Sequence, residues 1–254
     1  MAFMEVHFHS EVLGMAAAMD VILPQNALGQ AGRPVKVLYL LHGLSDDHTM
    51  WQRRTSIERY ADAAGMAVIL PNGARSFYTD MAKGGRYFTH VSQEVPRMVS
   101  LFFPQISQRR EDTYIAGLSL GGYGALKIAM TYPERFAAAG SFSGVLDIAG
   151  RMETIEPFRK EEMEWIFGDL NSLSGSKDDL FHLAEGLAAQ KELTLPIYQW
   201  CGTEDFLYED NLRFKDHLLR LGLPLTYSDG PGNHGWPYWD EQAEQFIQWA
   251  LLGA

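Results

Sequence analysis

Short apolar segments alternate with helical patterns along most of the chain, and this alternation restricts the fold more than any other feature. Residues 35–43 form an almost continuous apolar run that ends in glycine, which is typical of a strand buried on both faces of a parallel sheet. Similar segments follow at 66–71, 112–119, 136–144, 195–205 and 223–230. Helical patterns occupy residues 50–65, 91–103, 121–133, 206–222 and 236–253. The sequence therefore predicts an α/β fold with a mostly parallel central sheet and helices on both faces.

Three segments depart from this alternation. Residues 4–14 and 15–24 predict an antiparallel pair of strands, and the loop 25–34 follows them. Residues 148–192 combine charged and aromatic side chains with a Ser/Gly/Asp-rich patch, which predicts a cap-like insertion of short helices over one end of the sheet. Because no internal repeat or low-complexity tract divides the chain, residues 1–254 are expected to form one domain.

Charge and cysteine content exclude several classes of protein. The formal net charge is −11 and no cluster of Lys and Arg stands out, so a nucleic-acid partner would be repelled. The single cysteine, Cys201, rules out an intrachain disulfide and a cysteine-based metal cluster. The first ten residues lack the basic and apolar segments of a secretory signal, and the apolar runs are too short to span a bilayer. We expect a cytoplasmic protein without a membrane partner.

The pentapeptide Gly117-Leu118-Ser119-Leu120-Gly121 fits the G-x-S-x-G pattern of a nucleophile elbow. The pattern by itself also occurs in ordinary glycine-rich turns. Here a predicted strand precedes it and a predicted helix follows it, which is the context that the elbow requires. The small residues on either side of Ser119 make room for a strained turn, and the helix N-terminus offers N–H groups to an anion.

A serine hydroxyl needs a base, and the elbow motif places the base late in the chain, after the acid. His234 lies between the last predicted strand and the last predicted helix. His217 lies in a helical segment, His182 lies in the insertion, and His42 precedes the serine. His234 is therefore the predicted base.

The acid that orients this base is expected after the preceding strand. Glu204 and Asp205 both lie there, and we favour Asp205 because its shorter side chain fixes an imidazole more firmly. Glu204 is the first alternative and Asp147 a weaker one. The backbone N–H groups of Leu44 and Leu120 are the predicted oxyanion-hole donors, one from the loop after an early strand and one directly after the serine.

Taken together, six blocks of the chain resemble α/β-hydrolase esterases of the esterase D type and are most similar to bacterial tributyrin esterases. They are LYLLHGLSDDHTMW, VILPNG, YIAGLSLGGYGALKIA, FAAAGSFSG, GTEDFLYEDN and GNHGWPYW, and the resemblance extends over nearly the whole chain. The resemblance implies the α/β-hydrolase fold, short-chain acyl ester hydrolysis and a homo-oligomer (dimer or tetramer). It also implies the triad Ser119, Asp205 and His234, with Leu44 and Leu120 as donors.

S-formylglutathione hydrolases belong to the same wider group. They usually carry a cysteine just after the oxyanion-hole segment, where this chain has Ser45 and Asp46. This difference lowers the expectation of a thioesterase.

Aromatic residues are candidates for the substrate pocket. We expect Trp51, Tyr87, Trp165 and Trp236 to line it, although residue type alone does not separate a pocket wall from the core.

The sequence predicts a serine carboxylesterase that acts on short-chain acyl esters without a metal or organic cofactor. The alternatives within this chemistry are an S-formylglutathione hydrolase-like thioesterase, a sugar acetyl or feruloyl esterase and an acyltransferase. A binding protein that keeps the fold without catalysis is a third class. A metal-dependent hydrolase using His7 and His9 is a fourth, although no third ligand is apparent.

Overall fold

A computed structural model describes residues 1–28, 34–152 and 155–253 of the chain. Its centre is an eight-stranded sheet with the order β1-β2-β4-β3-β5-β6-β7-β8. The strands are β1 (Ala2–Ser10), β2 (Met15–Leu23), β3 (Lys36–Leu41), β4 (Met66–Pro71), β5 (Thr113–Leu118), β6 (Ala138–Phe142), β7 (Ile197–Gly202) and β8 (Leu225–Gly230). β2 runs antiparallel to both of its neighbours, and the strands from β4 to β8 are parallel.

The sheet has a separate apolar core on each face. Side chains of a strand alternate between the two faces, and β3 shows the consequence directly. Val37, Tyr39 and Leu41 belong to one core, while Leu38 and Leu40 belong to the other. The continuous apolar run in the sequence is therefore a strand buried on both sides, as predicted.

Helices cover both faces, which confirms the α/β-hydrolase fold class. The helices are α1 (Gln25–Leu28), α2 (Met50–Arg54), α3 (Ile57–Ala64), α4 (Tyr87–Thr89), α5 (Val95–Phe102), α6 (Leu120–Thr131), α7 (Ile148–Met152), α8 (Pro157–Phe167), α9 (Leu180–Ala188), α10 (Tyr208–Arg220) and α11 (Trp236–Leu251). A π-helical turn spans His90–Glu94, and short 3₁₀ turns lie at Arg110–Asp112, Pro133–Arg135 and Leu170–Ser172. Helices α3 and α11 pack over one core, and α5, α6, α9 and α10 pack over the other.

The helix predicted over residues 50–65 is two helices. Thr55 has extended backbone and separates α2 from α3, and its hydroxyl donates to the carbonyl of Trp51. The next N–H, of Ser56, donates to Asp240 Oδ1 at 2.8 Å, a partner far along the chain. Gly65 ends α3 as its C-cap with a φ of 61°, at the last residue of the predicted helical pattern.

The helix predicted over residues 91–103 begins earlier, at Tyr87, and contains the π-helical turn. Pro96 lies in the first turn of α5 and offers no N–H to the carbonyls of the preceding turn. Arg135 donates to the carbonyl oxygen of Ser92 at 2.6 Å, so this carbonyl finds its partner outside the helix.

The region predicted as an insertion contains α7, α8 and α9, which confirms short helices there. Residues 153 and 154, and residues 29–33 of the predicted loop 25–34, lie outside the described residues. Within the described ranges, no helix is both long and apolar enough to cross a membrane. The organisation of residues 1–254 as one domain remains a prediction.

Candidate active site

Ser119 occupies a strained turn between β5 and α6. Its φ of 51° and ψ of −117° lie in a region that L-residues rarely adopt. Three backbone hydrogen bonds hold it there: Ser119 N–H donates to Phe142 O at 2.9 Å, and Ser119 O accepts from Tyr123 and Val145, both at 3.2 Å. The surrounding structure therefore imposes the strained conformation.

Two glycines make this turn possible because the end of β3 passes directly beside it. A Cβ added to Gly121 would lie 2.3 Å from the carbonyl oxygen of Leu41. A Cβ added to Gly117 would lie 2.5 Å from the backbone of Gly121. Both contacts are with backbone atoms, which cannot move aside as a flexible side chain would.

His234 and Asp205 come to Ser119 from neighbouring strand ends. His234 lies in the loop between β8 and α11, and its Nε2 is 2.9 Å from Ser119 Oγ. Its Nδ1 is 2.8 Å from Asp205 Oδ2, in the loop after β7. Because an ionised carboxylate only accepts hydrogen bonds, Nδ1 carries the proton of the neutral ring and Nε2 is left to accept from the serine hydroxyl.

The structure distinguishes Asp205 from the other two candidate acids. Glu204 is exposed to solvent, and Asp147 accepts two hydrogen bonds from the Arg213 guanidinium. Asp205 is buried, which by itself raises its pKa. Hydrogen bonds from His234 and from the N–H of Leu207, the latter at 2.9 Å, outweigh that effect and hold the pKa of Asp205 below its usual value. The carboxylate beside His234 is therefore ionised at neutral pH.

Aromatic rings fix the plane of the His234 imidazole. The ring of Phe206 lies 4.6 Å from it, and the Trp239 indole meets it edge-on at 4.9 Å. Trp239 is itself held by a hydrogen bond from its Nε1 to Ser143 Oγ at 3.2 Å. The sequence analysis did not identify Phe206 or Ser143 as supports of the imidazole. Phe206 directly follows the predicted acid Asp205 in the sequence, and this position could have identified it as a neighbour of His234.

The predicted oxyanion-hole donors both lie at the site. Leu44 and Leu120 line the cavity beside Ser119. Within the described part of the chain, no group accepts a hydrogen bond from the backbone N–H of Leu44 or Leu120. Gly43 lets the backbone before Leu44 approach Ser119 closely, since a Cβ added to Gly43 would lie 3.7 Å from Ser119 Cβ. Two N–H groups are therefore free to bind an anion next to the serine hydroxyl.

His42 orients the first donor, a role that the sequence analysis missed when it set this histidine aside. His42 is 1% exposed, its Nδ1 lies 2.8 Å from Gly43 O, and its Nε2 accepts from Gly73 N–H at 2.9 Å. Burial lowers the pKa of His42, so the ring is neutral with its proton on Nδ1. The C=O and N–H of a trans peptide point in opposite directions, so holding Gly43 O also fixes the direction of the Leu44 N–H.

A cavity of about 390 Å³ opens beside Ser119. Most of its wall is apolar, and the insertion supplies much of that wall from α7 and α8. The lining residues outside the insertion are Leu44, Phe77, Ser119, Leu120, Val145, Phe206 and Leu207. Those from the insertion are Ile148, Arg151, Met152, Ile155, Glu156, Phe158, Arg159, Glu162 and Met163.

The four predicted pocket residues do not line this cavity. Trp51 is a core residue, 1% exposed, whose Nε1 donates to Leu41 O at 3.0 Å. Trp236 packs edge-on against Trp51, at 5.3 Å between ring centroids, and joins the same core. Tyr87 packs against the His90 ring at 6.4 Å. Trp165 lies on the solvent side of α8 and is 47% exposed.

His7 and His9 both lie on the exposed face of β1. Among residues 1–28, 34–152 and 155–253, no group of three or more His, Cys, Asp and Glu side chains gathers as a metal site would require. Within these residues, His7 and His9 therefore have no third side chain beside them that would complete a metal site.

The strained serine, its histidine and aspartate partners and the parallel sheet define an α/β-hydrolase of the serine hydrolase class. The model of the Esterase family, described as "Putative esterase", matches residues 10–248, and the chain belongs to this family. The chain is 32% identical to the acetyl esterase of Caldicellulosiruptor saccharolyticus over 98% of both chains. The chain is therefore a serine esterase related to the esterase D group.

Two solved structures from Staphylococcus aureus are similar over 98% of both chains. Substrate-bound FphF, a fluorophosphonate-binding serine hydrolase, matches with a TM-score of 0.89 and 39% identity. The S-formylglutathione hydrolase FrmB, as the apoenzyme, matches with a TM-score of 0.87 and 40% identity. These matches are consistent with the fold and with a hydrolytic enzyme.

Proposed function

We propose that this esterase hydrolyses short-chain acyl esters of alcohols, with Ser119 as nucleophile, His234 as general base and acid, and Asp205 as the group that orients His234. The observation that carries the proposal is the pair of hydrogen bonds from Ser119 through His234 to Asp205, next to two free N–H groups and an apolar cavity. These contacts support one role in ester hydrolysis for each of the three side chains.

In the acylation half-reaction, Ser119 Oγ attacks the ester carbonyl while its proton passes to His234 Nε2. The carbonyl oxygen becomes an oxyanion, which accepts hydrogen bonds from the N–H groups of Leu44 and Leu120. The ionised Asp205 stabilises the imidazolium that forms. His234 then gives the proton to the leaving alcohol as the C–O bond breaks, and an acyl-serine remains.

In the deacylation half-reaction, water takes the place of the alcohol. His234 Nε2 accepts a proton from the water as its oxygen attacks the acyl carbon. The same two N–H groups stabilise the second oxyanion, and the proton returns to Ser119 Oγ when the acid leaves. This cycle uses only groups of the chain and water.

The mostly apolar cavity beside Ser119 supports an acyl ester substrate, and the insertion forms much of its wall. Acetyl and butyryl esters, including tributyrin, are the proposed substrates because of the resemblance to tributyrin esterases. The similarity to an acetyl esterase supports the same acyl range.

Replacing Ser119 tests the proposal. Ser119→Ala is expected to lower kcat for p-nitrophenyl butyrate by at least about 10⁴-fold, because the nucleophile is lost. The thermal unfolding midpoint should change little, and covalent labelling by a fluorophosphonate should disappear. Ser100→Ala, at an exposed position of α5, is the matched control and should keep wild-type activity. Hydrolysis by Ser119→Ala at near wild-type rate would overturn the proposal.

Hydrolysis of S-formylglutathione is the second candidate. Arg159 of the insertion lies in the cavity wall, where it suits a substrate with carboxylates, whereas Arg151 in the same wall is paired with Asp210. The similarity to FrmB supports the same reaction class. A kcat/KM for S-formylglutathione well above that for p-nitrophenyl acetate would favour this candidate, and the reverse order would favour the ester. Feruloyl and sugar acetyl esters, and added alcohols as acyl acceptors, complete the substrate panel.

A homo-oligomer, dimer or tetramer, and a cytoplasmic location also form part of the proposal. The first rests on the family resemblance. Light scattering coupled to size-exclusion chromatography would measure the oligomeric state.

A further inference from the structure

A second cavity, of about 590 Å³, shares one lining residue with the cavity beside Ser119. Its lining residues come mainly from the insertion and are more polar. They are Ala82, Lys83, Ala149, Met152, Lys160, Glu164, Gly168, Asp169, Leu170, Asn171 and Ser174. Among the described residues that line the two cavities, Met152 is the one common to both. Its side chain therefore forms part of the partition between them.

The cavity beside Ser119 receives the acyl side of the substrate. The leaving oxygen must come within reach of His234 Nε2, because His234 protonates it. His234 is not among the described residues that line this cavity, whereas the oxyanion-hole residues Leu44 and Leu120 are. An ester carbonyl held by those two N–H groups therefore directs its acyl chain into the cavity and toward the insertion.

We propose that Met152 sets the length of the acyl chain by closing the end of the acyl cavity against the second cavity. This inference rests on the proposed function. Met152 is the last residue of α7 and is partly buried. A short acyl chain stops at its side chain, and a longer one would have to displace it. An unbranched methionine adapts its shape to its neighbours but still occupies the passage.

Shortening this side chain should join the two cavities and extend the range of substrates. In Met152→Ala, the ratio of kcat/KM for p-nitrophenyl octanoate to that for p-nitrophenyl butyrate should rise about 15-fold. This estimate assumes that two further methylenes become buried, each worth about a four-fold gain. Rates are expressed per active site, titrated with a fluorophosphonate, so that loss of folded enzyme does not distort the ratio.

Met163→Ala is the matched control. Met163 lines only the cavity beside Ser119 and is buried in the core, so its truncation enlarges that cavity without opening the passage. Its octanoate-to-butyrate ratio should rise by less than about three-fold, the gain from less than one buried methylene. An equal rise in both variants would overturn the role of Met152, because a larger first cavity would then suffice.

A double variant tests the passage itself. Ala149 lines the second cavity and not the first, so Phe at this position should fill the space that Met152→Ala opens. In Met152→Ala/Ala149→Phe the octanoate gain should disappear. A persistent gain, or an unchanged ratio in Met152→Ala alone, would refute the inference while leaving butyrate hydrolysis through Ser119 intact. Failure of the proposed function would show instead as activity in Ser119→Ala.

Discussion

The edge of the sheet that carries Ser119 and the insertion above it are held by different forces. At the sheet edge, buried strands end beside one another, and backbone contacts leave no room even for a Cβ at Gly121. The insertion packs apolar side chains such as Met163 and Ile166 against the core, and its backbone accepts hydrogen bonds from Ala82 and Lys83. Exposed ion pairs add to this attachment. Arg75 holds Glu162 of α8 through two hydrogen bonds, at 2.6 and 2.9 Å, and both side chains are partly exposed.

One contact of the insertion differs from this pattern. Lys127 of α6 is buried and pairs with Asp178, and it also donates to Thr79 Oγ1 at 2.6 Å. This pair anchors the segment before α9 to the same helix that begins at Ser119. The comparison indicates that the catalytic groups depend on the rigid sheet, whereas the shape of the substrate cavity depends on how firmly each part of the insertion is attached.

The largest effect is expected at the sheet edge. Asp205→Asn should reduce kcat by roughly 10⁴-fold, as the equivalent change does in serine proteases, because an amide can donate to Nδ1 and leave the proton on Nε2. Steady-state kinetics with p-nitrophenyl butyrate would measure the loss, and thermal unfolding would show that the fold persists. Glu204→Gln, one residue away and exposed, should stay within about two-fold of wild type. A large loss of kcat in Glu204→Gln, with near wild-type kcat in Asp205→Asn, would identify Glu204 as the acid.

Breaking the buried anchor should affect stability more than chemistry. Lys127→Met leaves Asp178 buried without its partner, which should cost about 3–5 kcal/mol of unfolding free energy. Urea denaturation would measure this loss. Adding Asp178→Leu removes the stranded charge and should recover most of it. A loss below about 1 kcal/mol in Lys127→Met would mean that the pair does not anchor the insertion.

The pH dependence of the same pair provides a separate test. Burial lowers the pKa of Lys127 from 10.5 to about 8, so between these values the folded protein binds fewer protons here than the unfolded chain. This lysine therefore makes the unfolding free energy rise as pH increases from about 8 to about 10.5. Denaturation at several pH values in this window should show the rise in wild type relative to Lys127→Met. A constant difference would show that the lysine pKa is not lowered.

The smallest effect is expected at the exposed pair. Glu162→Gln should lower the unfolding free energy by at most about 1 kcal/mol, because solvent screens both partners. The difference from wild type should vanish in 1 M salt, where the screening length is about 3 Å. A salt-independent loss of several kcal/mol would show that α8 is held as firmly as the sheet edge, and the comparison between the two regions would fail.

The sequence was most informative where a local pattern has a single structural solution. The apolar run ending in glycine predicted the buried strand β3, and the elbow motif predicted the strained turn at Ser119. The predicted partners, His234 and Asp205, follow the strands that the alternation identified. All of these positions depend on strand order and on residues adjacent in sequence.

Prediction was weaker where distant segments meet. Trp51 was predicted to line the pocket because it is aromatic, yet its indole N–H donates to Leu41 O inside the core. The break at Thr55 was missed because Ser56 is held by Asp240, from a helix at the other end of the chain. His42 was set aside on chain order, although its contacts with Gly43 and Gly73 orient a donor of the site.

By itself, the sequence determined the α/β fold and the strand-turn-helix around Ser119, because glycines within a few residues permit one backbone geometry there and apolar periodicity determines which segments are buried. Only the tertiary structure showed that Asp205 rather than Glu204 contacts His234, and that Met152 lines two cavities. Both outcomes depend on which side chains from remote segments meet in space. Such contacts are set by the packing of the whole chain, and no short stretch of sequence encodes them.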